Sequence, residues 1–301
     1  MMRKSHLLFS LVLCVLWLTP AVSALPSNTN PPAAPNPRDL TAHLIGHAHI
    51  DLAWLWRWEE TVHDIATHTF RGTLAQMDKM PGLTFAQSQA AVYEAIEKHY
   101  PELFAVIKER VRAGTWIPVG GMWVEPDLNM PDGESLARQL LYGKKYFAEK
   151  FGVDVTVGWN PDSFGHNFQL PQILQKAGIK YYVFERCAPE NTTAFWWEGP
   201  DGSRVLAYVP PGWYLVDLRS GVKDLLLTAA AAAPLKDFML LYGEGDHGGG
   251  PRPTDLEAIR KFKASRDHPR LEFVSPEDYF RKLEPAGAAL PVVKRELNFT
   301  F

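Results

Sequence analysis

The stretch HLIGHAHIDLAWLW, residues 43–56, brings His49 and Asp51 together at the end of an apolar segment. Burying an imidazole and a carboxylate in an apolar strand is costly unless a partner satisfies both groups. A metal ion would satisfy both, and a further carboxylate, Asp162, follows another apolar segment. Zinc commonly takes such a mixed set of ligands and keeps one position for substrate. Manganese and calcium stay open as alternatives, although an imidazole argues against calcium.

Carboxyl groups that could act on a sugar are also present. Glycoside hydrolysis requires two carboxyl groups on opposite sides of a bound sugar, and Asp162 and Asp246 are candidates for this pair. Arg186 beside a carboxylate would keep it charged, as a nucleophile requires. Trp54 could stack on a sugar face. Asp162, Asp246 and Arg186 are therefore candidate catalytic residues, and Trp54 is a candidate substrate-binding residue.

All these polar residues follow short apolar segments that alternate with segments of helical spacing. Such alternation predicts an α/β fold with a parallel sheet and surrounding helices. In parallel sheets and barrels, ligands bind at the carboxyl ends of the strands. Five predicted strands carry polar residues at that end: His49 and Asp51, Glu125 and Asp127, Asp162, Arg186, and Asp246. Their concentration at one rim predicts an active site.

The helical segments have recognisable ends. Apolar positions over residues 90–114 have helical spacing that is broken around Pro101 and closed by Gly114. Residues 133–152 form another helical segment. We therefore expect two helices in the first of these ranges and one in the second.

Composition limits the classes of function. The chain has 301 residues, 46% of them apolar, and a formal net charge of −3. This length allows a sizeable core, and the near-neutral charge offers no electrostatic footprint for nucleic acid. Of two cysteines, Cys14 lies in the amino-terminal apolar run, which leaves Cys187 alone. The sequence thus predicts no nucleic-acid partner and no internal disulfide.

The amino terminus has the pattern of a secretory signal. A basic start, MMRKSH, precedes the apolar run LLFSLVLCVLWL and the small residues of VSA. We expect a signal peptide over residues 1–24, a Pro/Asn-rich linker over 25–40 and a folded domain over 41–301. The protein would be exported, to the periplasm or the extracellular space, without a stable membrane anchor after cleavage. An uncleaved anchor is the alternative, but the run is shorter than the ~20 residues of a membrane span.

Four ordered motifs resemble a known family. HAHIDLAWLW, GGMWVEPDLNMPDGESLARQ, GWNPDSFGHNFQLPQILQKAGIKYYVFER and LLYGEGDHGGGP resemble glycoside hydrolase family 38, the class II α-mannosidases, and especially its bacterial branch. The resemblance extends from about residue 41 to residue 301. It implies a seven-stranded (β/α) barrel-like parallel sheet with surrounding helices, truncated at its carboxyl-terminal end.

The resemblance also implies one zinc ion per chain and roles for single residues. His49 and Asp51 match the zinc-binding His-x-Asp pair of the family, and Asp162 matches an aspartate that is both zinc ligand and nucleophile. Trp54 matches the tryptophan beneath the sugar ring, and Arg186 matches an arginine near the nucleophile.

Asp246 falls where the family keeps its general acid/base, with Glu244 close by. The implied reaction is retaining hydrolysis of terminal α-linked mannose from a glycan. Asp162 attacks the anomeric carbon while Asp246 protonates the leaving oxygen, and water then hydrolyses the mannosyl-enzyme. The two carboxyl groups should lie about 5–5.5 Å apart in a retaining enzyme. The family resemblance further suggests that the full-length form is a homo-oligomer.

The chain departs from the family in one respect. The family's fourth zinc ligand, a histidine, and its helical and β-rich domains lie downstream of residue 301, so we expect a truncated chain. His247 is a candidate replacement ligand. Two other functions stay open: a metal-dependent carbohydrate deacetylase, and an inactive glycan-binding fragment.

The roles of several neighbouring residues are undecided from sequence. Glu125 and Asp127 could bind substrate hydroxyls or satisfy loop backbone. His47 shares the face of His49 and is expected to pack or to support it rather than to bind metal. His166 is expected to support the site.

Overall fold

The structure, a computed structural model, describes residues 35–233, 235–245 and 248–298. The predicted signal peptide, most of the predicted linker, Asp246 and His247 lie outside these ranges. In the described part of the chain, no helix is both long enough and apolar enough to span a bilayer.

The strands are β1 (Thr41–His47), β2 (Phe85–Gln87), β3 (Trp116–Pro118), β4 (Val157–Asn160), β5 (Tyr181–Phe184), β6 (Ala194–Glu198), β7 (Arg204–Tyr208), β8 (Asp237–Tyr242), β9 (Arg270–Phe273) and β10 (Val292–Val293). The helices are α1 (Trp58–Glu60), α2 (Ala66–Lys79), α3 (Ala90–His99), α4 (Pro101–Arg112), α5 (Gly133–Phe151), α6 (Leu170–Lys176), α7 (Lys223–Ala232), α8 (Pro253–Ala264) and α9 (Pro276–Leu283). A π-helical turn, Thr61–Ile65, joins α1 to α2.

The strands form two sheets of five. One has the order β3-β2-β1-β8, with β9 also paired to β1, and the other has the order β10-β6-β7-β5-β4. Every neighbouring pair is parallel except the antiparallel hairpin of β6 and β7. The predicted α/β class with parallel sheets and surrounding helices is therefore confirmed.

The described residues form no closed barrel, so the seven-stranded barrel-like arrangement is not confirmed. Strand β7 is paired on one edge with β5 and on the other with β6, so it has no free edge for β8. Strands β7 and β8 are instead connected through a side chain: the Met239 N–H of β8 donates to the Tyr208 hydroxyl of β7 at 2.9 Å. Where the other ends of the two sheets meet, at β3 and β4, the Gly120 N–H donates to the Val157 carbonyl at 2.8 Å. The hairpin thus takes the pairing position that ring closure would need.

Both faces of the central strands are buried. In β1, Leu44 packs in the larger apolar cluster, and Ile45 packs in a second cluster that also contains Met239 and Leu241 of β8. Strands that are buried on both faces have continuous apolar sequences. The odd-numbered side chains of β1, including Ile45 and His47, lie on the side of the second cluster. His49, two residues after the end of β1, lies on the same side.

The helices agree with the sequence signals. Helices α3 and α4 are separated at Tyr100, next to Pro101. Helix α5 ends at Phe151 and is capped by Gly152, which has a left-handed φ of 69°. Inside α5, Gly143 packs against the loop after β3, since a Cβ at this position would lie 2.4 Å from the Gly121 carbonyl oxygen. This close approach fixes the loop that carries Glu125.

Candidate active site

Three predicted metal ligands come together at the carboxyl ends of β1 and β4. His49 Nε2 lies 3.0 Å from Asp51 Oδ1 and 3.7 Å from Asp162 Oδ2. One ligand atom from each residue lies within 4.8 Å of the others, and this is the one such group among the described residues. The imidazole side chain is 5% exposed. The cluster therefore offers one nitrogen and two carboxylates from two strand ends, at the edge of solvent.

Asp162 is held by donors from two further strand ends. Arg186, just after β5, donates from Nε to Asp162 Oδ1 at 2.6 Å, and its Nη2 lies at the same distance. The Tyr214 hydroxyl, from the loop after β7, donates to the same oxygen at 2.9 Å. Two donors on Oδ1 fix the carboxylate and leave Oδ2 facing His49.

Arg186 is itself held between two aromatic rings. Its guanidinium carbon lies 4.3 Å from the Phe164 ring centroid and 5.0 Å from that of Trp213. A guanidinium group is attracted to the faces of aromatic rings, and two such contacts restrict the orientation of the Arg186 side chain. Trp213 adopts a left-handed φ of 76°, a conformation that bulky residues seldom take.

The charge of the site favours a cation at His49. Burial alone would lower the pKa of His49, but the carboxylates of Glu125, Asp51 and Asp162 outweigh it and raise this pKa to about 10. The same carboxylates would favour a metal cation, which replaces the proton on a histidine nitrogen. The donor set suits zinc, which binds imidazole and carboxylate together.

Two neighbouring histidines are not part of the cluster. His47 is buried and its Nε2 lies 2.9 Å from the Tyr214 carbonyl oxygen. His166 is buried between the Tyr182 hydroxyl, 2.8 Å from Nδ1, and the Arg186 carbonyl, 3.1 Å from Nε2. Burial lowers the pKa of His47 to about 3 and that of His166 to about 4. Both are neutral supports of the loops around the site.

Trp54 lies three residues after Asp51 and is 59% exposed. Its ring packs edge-to-face on Trp56, with centroids 5.9 Å apart. The Trp56 indole N–H donates to the Thr61 hydroxyl at 2.9 Å. Trp54 is therefore exposed to solvent, and it packs on Trp56, whose position is fixed by a hydrogen bond.

Among the predicted catalytic residues, Asp246 lies outside the described residues. The preceding residues show where its loop begins: β8 is paired with β1, and a Cβ on Gly245 would lie 3.3 Å from His49 Cβ. Glu244 pairs with Arg252 at 3.1 Å and is about half exposed. Gly245, the last described residue before Asp246, thus lies beside His49.

The cluster opens into a cleft of about 200 Å³. Its lining residues come from three strand ends: His49, Asp51, Glu125, Pro126, Asp127, Asp162, Ser163 and Phe164. Asp127 satisfies its own loop, because its Oδ1 accepts the N–H groups of Asn129 and Met130, each at 2.7 Å. A cleft of this size, lined by carboxylates, suits a small polar group such as one sugar residue.

Sequence reasoning did not identify Tyr214 or Gln89. Tyr214 lies in PPGWYL, which has no motif, and reaches Asp162 from a distance of 52 residues along the chain. Gln89 lies between Ile50 and Glu125, with a left-handed φ of 69°. Only the folded backbone brings these side chains to the cluster.

Comparisons with known proteins agree with the geometry. The family model "Glycosyl hydrolases family 38 N-terminal domain" matches residues 39–296. Alpha-mannosidase G of Dictyostelium discoideum is 39% identical over 263 residues, which are 85% of this chain and 24% of that protein. Alpha-mannosidase 2C1 of Homo sapiens is 38% identical over 254 residues, 81% of this chain and 24% of that protein. This chain therefore spans about a quarter of the length of these curated relatives.

A solved structure has the same fold. The alpha-mannosidase from Enterococcus faecalis V583 aligns with a TM-score of 0.75 over 86% of this chain and 31% of that one, at 22% identity. Both curated relatives above are eukaryotic, so membership of the bacterial branch stays a prediction. Because the family model covers most of the described residues, the chain belongs to glycosyl hydrolase family 38 and contains its N-terminal domain.

Proposed function

We propose that this domain supplies the catalytic centre of a zinc-dependent, retaining exo-α-mannosidase that removes terminal α-linked mannose from glycans. Family membership supports the reaction class. The observation that carries the proposal is the state of Asp162: its Oδ1 is held by Arg186 and Tyr214, and its Oδ2 faces His49. An aspartate fixed in this way at the base of a polar cleft is suited to attack.

Asp162 acts as the nucleophile. Arg186 and Tyr214 hold the plane of the carboxylate through Oδ1, so that Oδ2 can approach an anomeric carbon in one direction. In the first step a bond forms between Asp162 and that carbon, and the bond to the leaving oxygen breaks. Arg186 and Tyr214 stay in place and stabilise the charge of Asp162 when water releases the sugar.

His49, Asp51 and Asp162 would hold one zinc ion per chain. When bound, zinc would act as a Lewis acid toward the hydroxyl oxygens of the sugar. The family resemblance assigns a fourth ligand to a downstream histidine, and His247 is a second candidate outside the described residues.

Asp246 acts as general acid and then as general base. It gives its proton to the leaving oxygen in the first step and takes a proton from water in the second. Gly245, the described residue before Asp246, lies beside His49, and this position supports the assignment. Trp54, exposed after β1, would form the platform for the sugar ring.

The remaining features of the protein are proposed from sequence. Residues 1–24 are a signal peptide, residues 25–40 a linker and residues 41–301 the catalytic domain, and the protein is exported to the periplasm or the extracellular space. A homo-oligomer is proposed for the full-length form. The partner is a mannose-containing glycan or oligosaccharide.

The deacetylase and glycan-binding alternatives predict other properties of the cleft. A deacetylase uses metal-bound water, and its aspartate would accept a proton from that water rather than form a bond to a sugar. The double restraint on Asp162 Oδ1 favours a nucleophile. A glycan-binding fragment would bind mannosides without turnover.

The test is hydrolysis of p-nitrophenyl-α-mannoside by the purified chain, compared with Asp162→Asn. We expect zinc near one equivalent, and a loss of turnover on the order of 1,000-fold or more in the variant, because the amide is not a nucleophile. NMR of the first product should show retained configuration. An inverted product, or acetate release from an acetylated sugar without mannoside cleavage, would contradict the proposal.

A further inference from the structure

Glu125 is a carboxylate in the wall of the cleft that contacts two of the three proposed zinc ligands. It lies in the loop after β3, and its side chain is 6% exposed. Its Oε1 accepts the backbone N–H of Asp162 at 2.9 Å. Its Oε2 lies 3.2 Å from His49 Nδ1, at an ion-pair distance, and has no hydrogen-bond partner among the described residues. His49 is therefore the polar neighbour available to that oxygen.

The two nitrogens of His49 face different groups. Nε2 faces Asp51 and Asp162, while Nδ1 faces Glu125. A charged carboxylate can only accept hydrogen bonds. Nδ1 can therefore donate to Glu125 only when it carries a proton. With this proton in place, the lone pair of Nε2 points toward the other two ligands.

The main chain of Glu125 is held by Gln89. The Gln89 Oε1 accepts the Glu125 N–H at 3.0 Å, and its Nε2 donates to the Ile50 carbonyl at 2.8 Å. Gln89 is buried and has a left-handed φ of 69°, which non-glycine residues seldom adopt unless the surroundings maintain it. The Gln89 side chain thus joins the strand end that carries His49 to the loop that carries Glu125.

We propose that Glu125 is the positioning residue of the metal site: it holds the Nδ1 proton of His49, so that Nε2 binds the metal, and it fixes the backbone of Asp162. The inference rests on the proposed zinc site. Carboxylate–histidine–zinc pairs of this kind orient the ligand, and their loss typically lowers metal affinity about 10- to 100-fold. Glu125 is assigned no contact with substrate.

The first experiment measures zinc affinity by competition with a chromophoric chelator for wild type, Glu125→Gln and Asp127→Asn. Glutamine keeps an oxygen for the Asp162 N–H but places an NH₂ group against His49. We expect about 10- to 100-fold weaker zinc binding in Glu125→Gln. Asp127→Asn removes the same charge from the same cleft, but Asp127 contacts its own loop, so its affinity should change less than about threefold.

A second measurement is independent of how the variant folds. In zinc-loaded wild type, ¹⁵N NMR of histidine should show the proton of His49 on Nδ1 and the metal on Nε2. Metal on Nδ1 would overturn the inference, and so would equal zinc affinity of wild type and Glu125→Gln. Wild-type protein that takes up no zinc would instead contradict the proposed function, and with it this inference.

Discussion

His47 and His49 lie two residues apart on the same side of the chain at the end of β1, in opposite surroundings. Around His47 are the rings of Trp159 and Tyr214, at 5.7 and 6.1 Å between centroids, and one carbonyl oxygen. Around His49 are three carboxylates. Both imidazoles are buried, but burial dominates for His47 and lowers its pKa to about 3, whereas the carboxylates dominate for His49 and raise its pKa to about 10.

The difference shows that the neighbours, rather than the residue type, separate a structural histidine from a candidate metal ligand. Tyr214 joins the two environments: its carbonyl faces His47, and its hydroxyl binds Asp162. A neutral His47 can hold the Tyr214 loop, which in turn holds the proposed nucleophile, Asp162. The two histidines should therefore respond differently to mutation, to pH and to zinc.

The largest expected effect is on zinc affinity. His49→Gln should weaken zinc binding on the order of 100- to 1,000-fold, because one of few ligands is lost. The matched change His47→Gln should leave the dissociation constant within about threefold, since that imidazole faces a carbonyl and not the cluster. Chelator competition at constant pH measures both. Equal losses in the two variants would remove the distinction between the two environments.

A smaller effect is expected on stability at acidic pH. His47 stays neutral in the folded protein down to its pKa of about 3, whereas in the unfolded chain it takes up a proton below about pH 6.5. Its contribution to stability is therefore present above pH 6.5 and is lost as pH falls from there toward 3. Between pH 7.5 and 5, wild type should lose about 2 kcal/mol more unfolding free energy than His47→Gln.

Urea unfolding of both proteins at the two pH values, with chelator present, measures this difference. His49 contributes equally to the pH dependence of the unfolding free energy in both proteins, so its contribution cancels in the difference between them. Parallel losses in wild type and His47→Gln would show that His47 is solvated or charged in the folded state.

The smallest expected effect is on the number of protons released when zinc binds. His49 is protonated at pH 7.5 in metal-free protein, because its pKa is raised to about 10, and zinc must displace that proton. Zinc binding should release about one proton from wild type. Calorimetry in buffers of different ionisation enthalpy gives the number. His47→Gln should release the same number, and zero release would mean that His49 is neutral before zinc arrives.

Part of this site could be predicted from sequence because its signals are local. The apolar runs that end in HAHID and NPD mark strands with polar ends, and parallel strands bring such ends to one edge. Helices α3, α4 and α5 followed from apolar spacing and from Pro101 and Gly152. The sequence therefore predicts that His49, Asp51, Asp162 and Arg186 lie in one group.

Other features depend on contacts between distant segments. The turn of the β6–β7 hairpin is marked by Gly-Pro-Asp-Gly at residues 199–202. The pairing of β7 with β5 joins segments further apart in sequence, and with the hairpin it leaves β7 no free edge for β8. Glu125 could equally have bound substrate, until the fold placed it between His49 and Asp162.

The sequence by itself determined which residues could bind a metal and which segments would carry them, because strand periodicity and residue chemistry are properties of the chain. Only the tertiary structure decided that a third carboxylate, Glu125, lies against His49, and that Tyr214 and Gln89 complete the site. The physical reason is that electrostatic and hydrogen-bond partners act over a few ångströms in space, and chain folding brings together residues that are far apart in sequence.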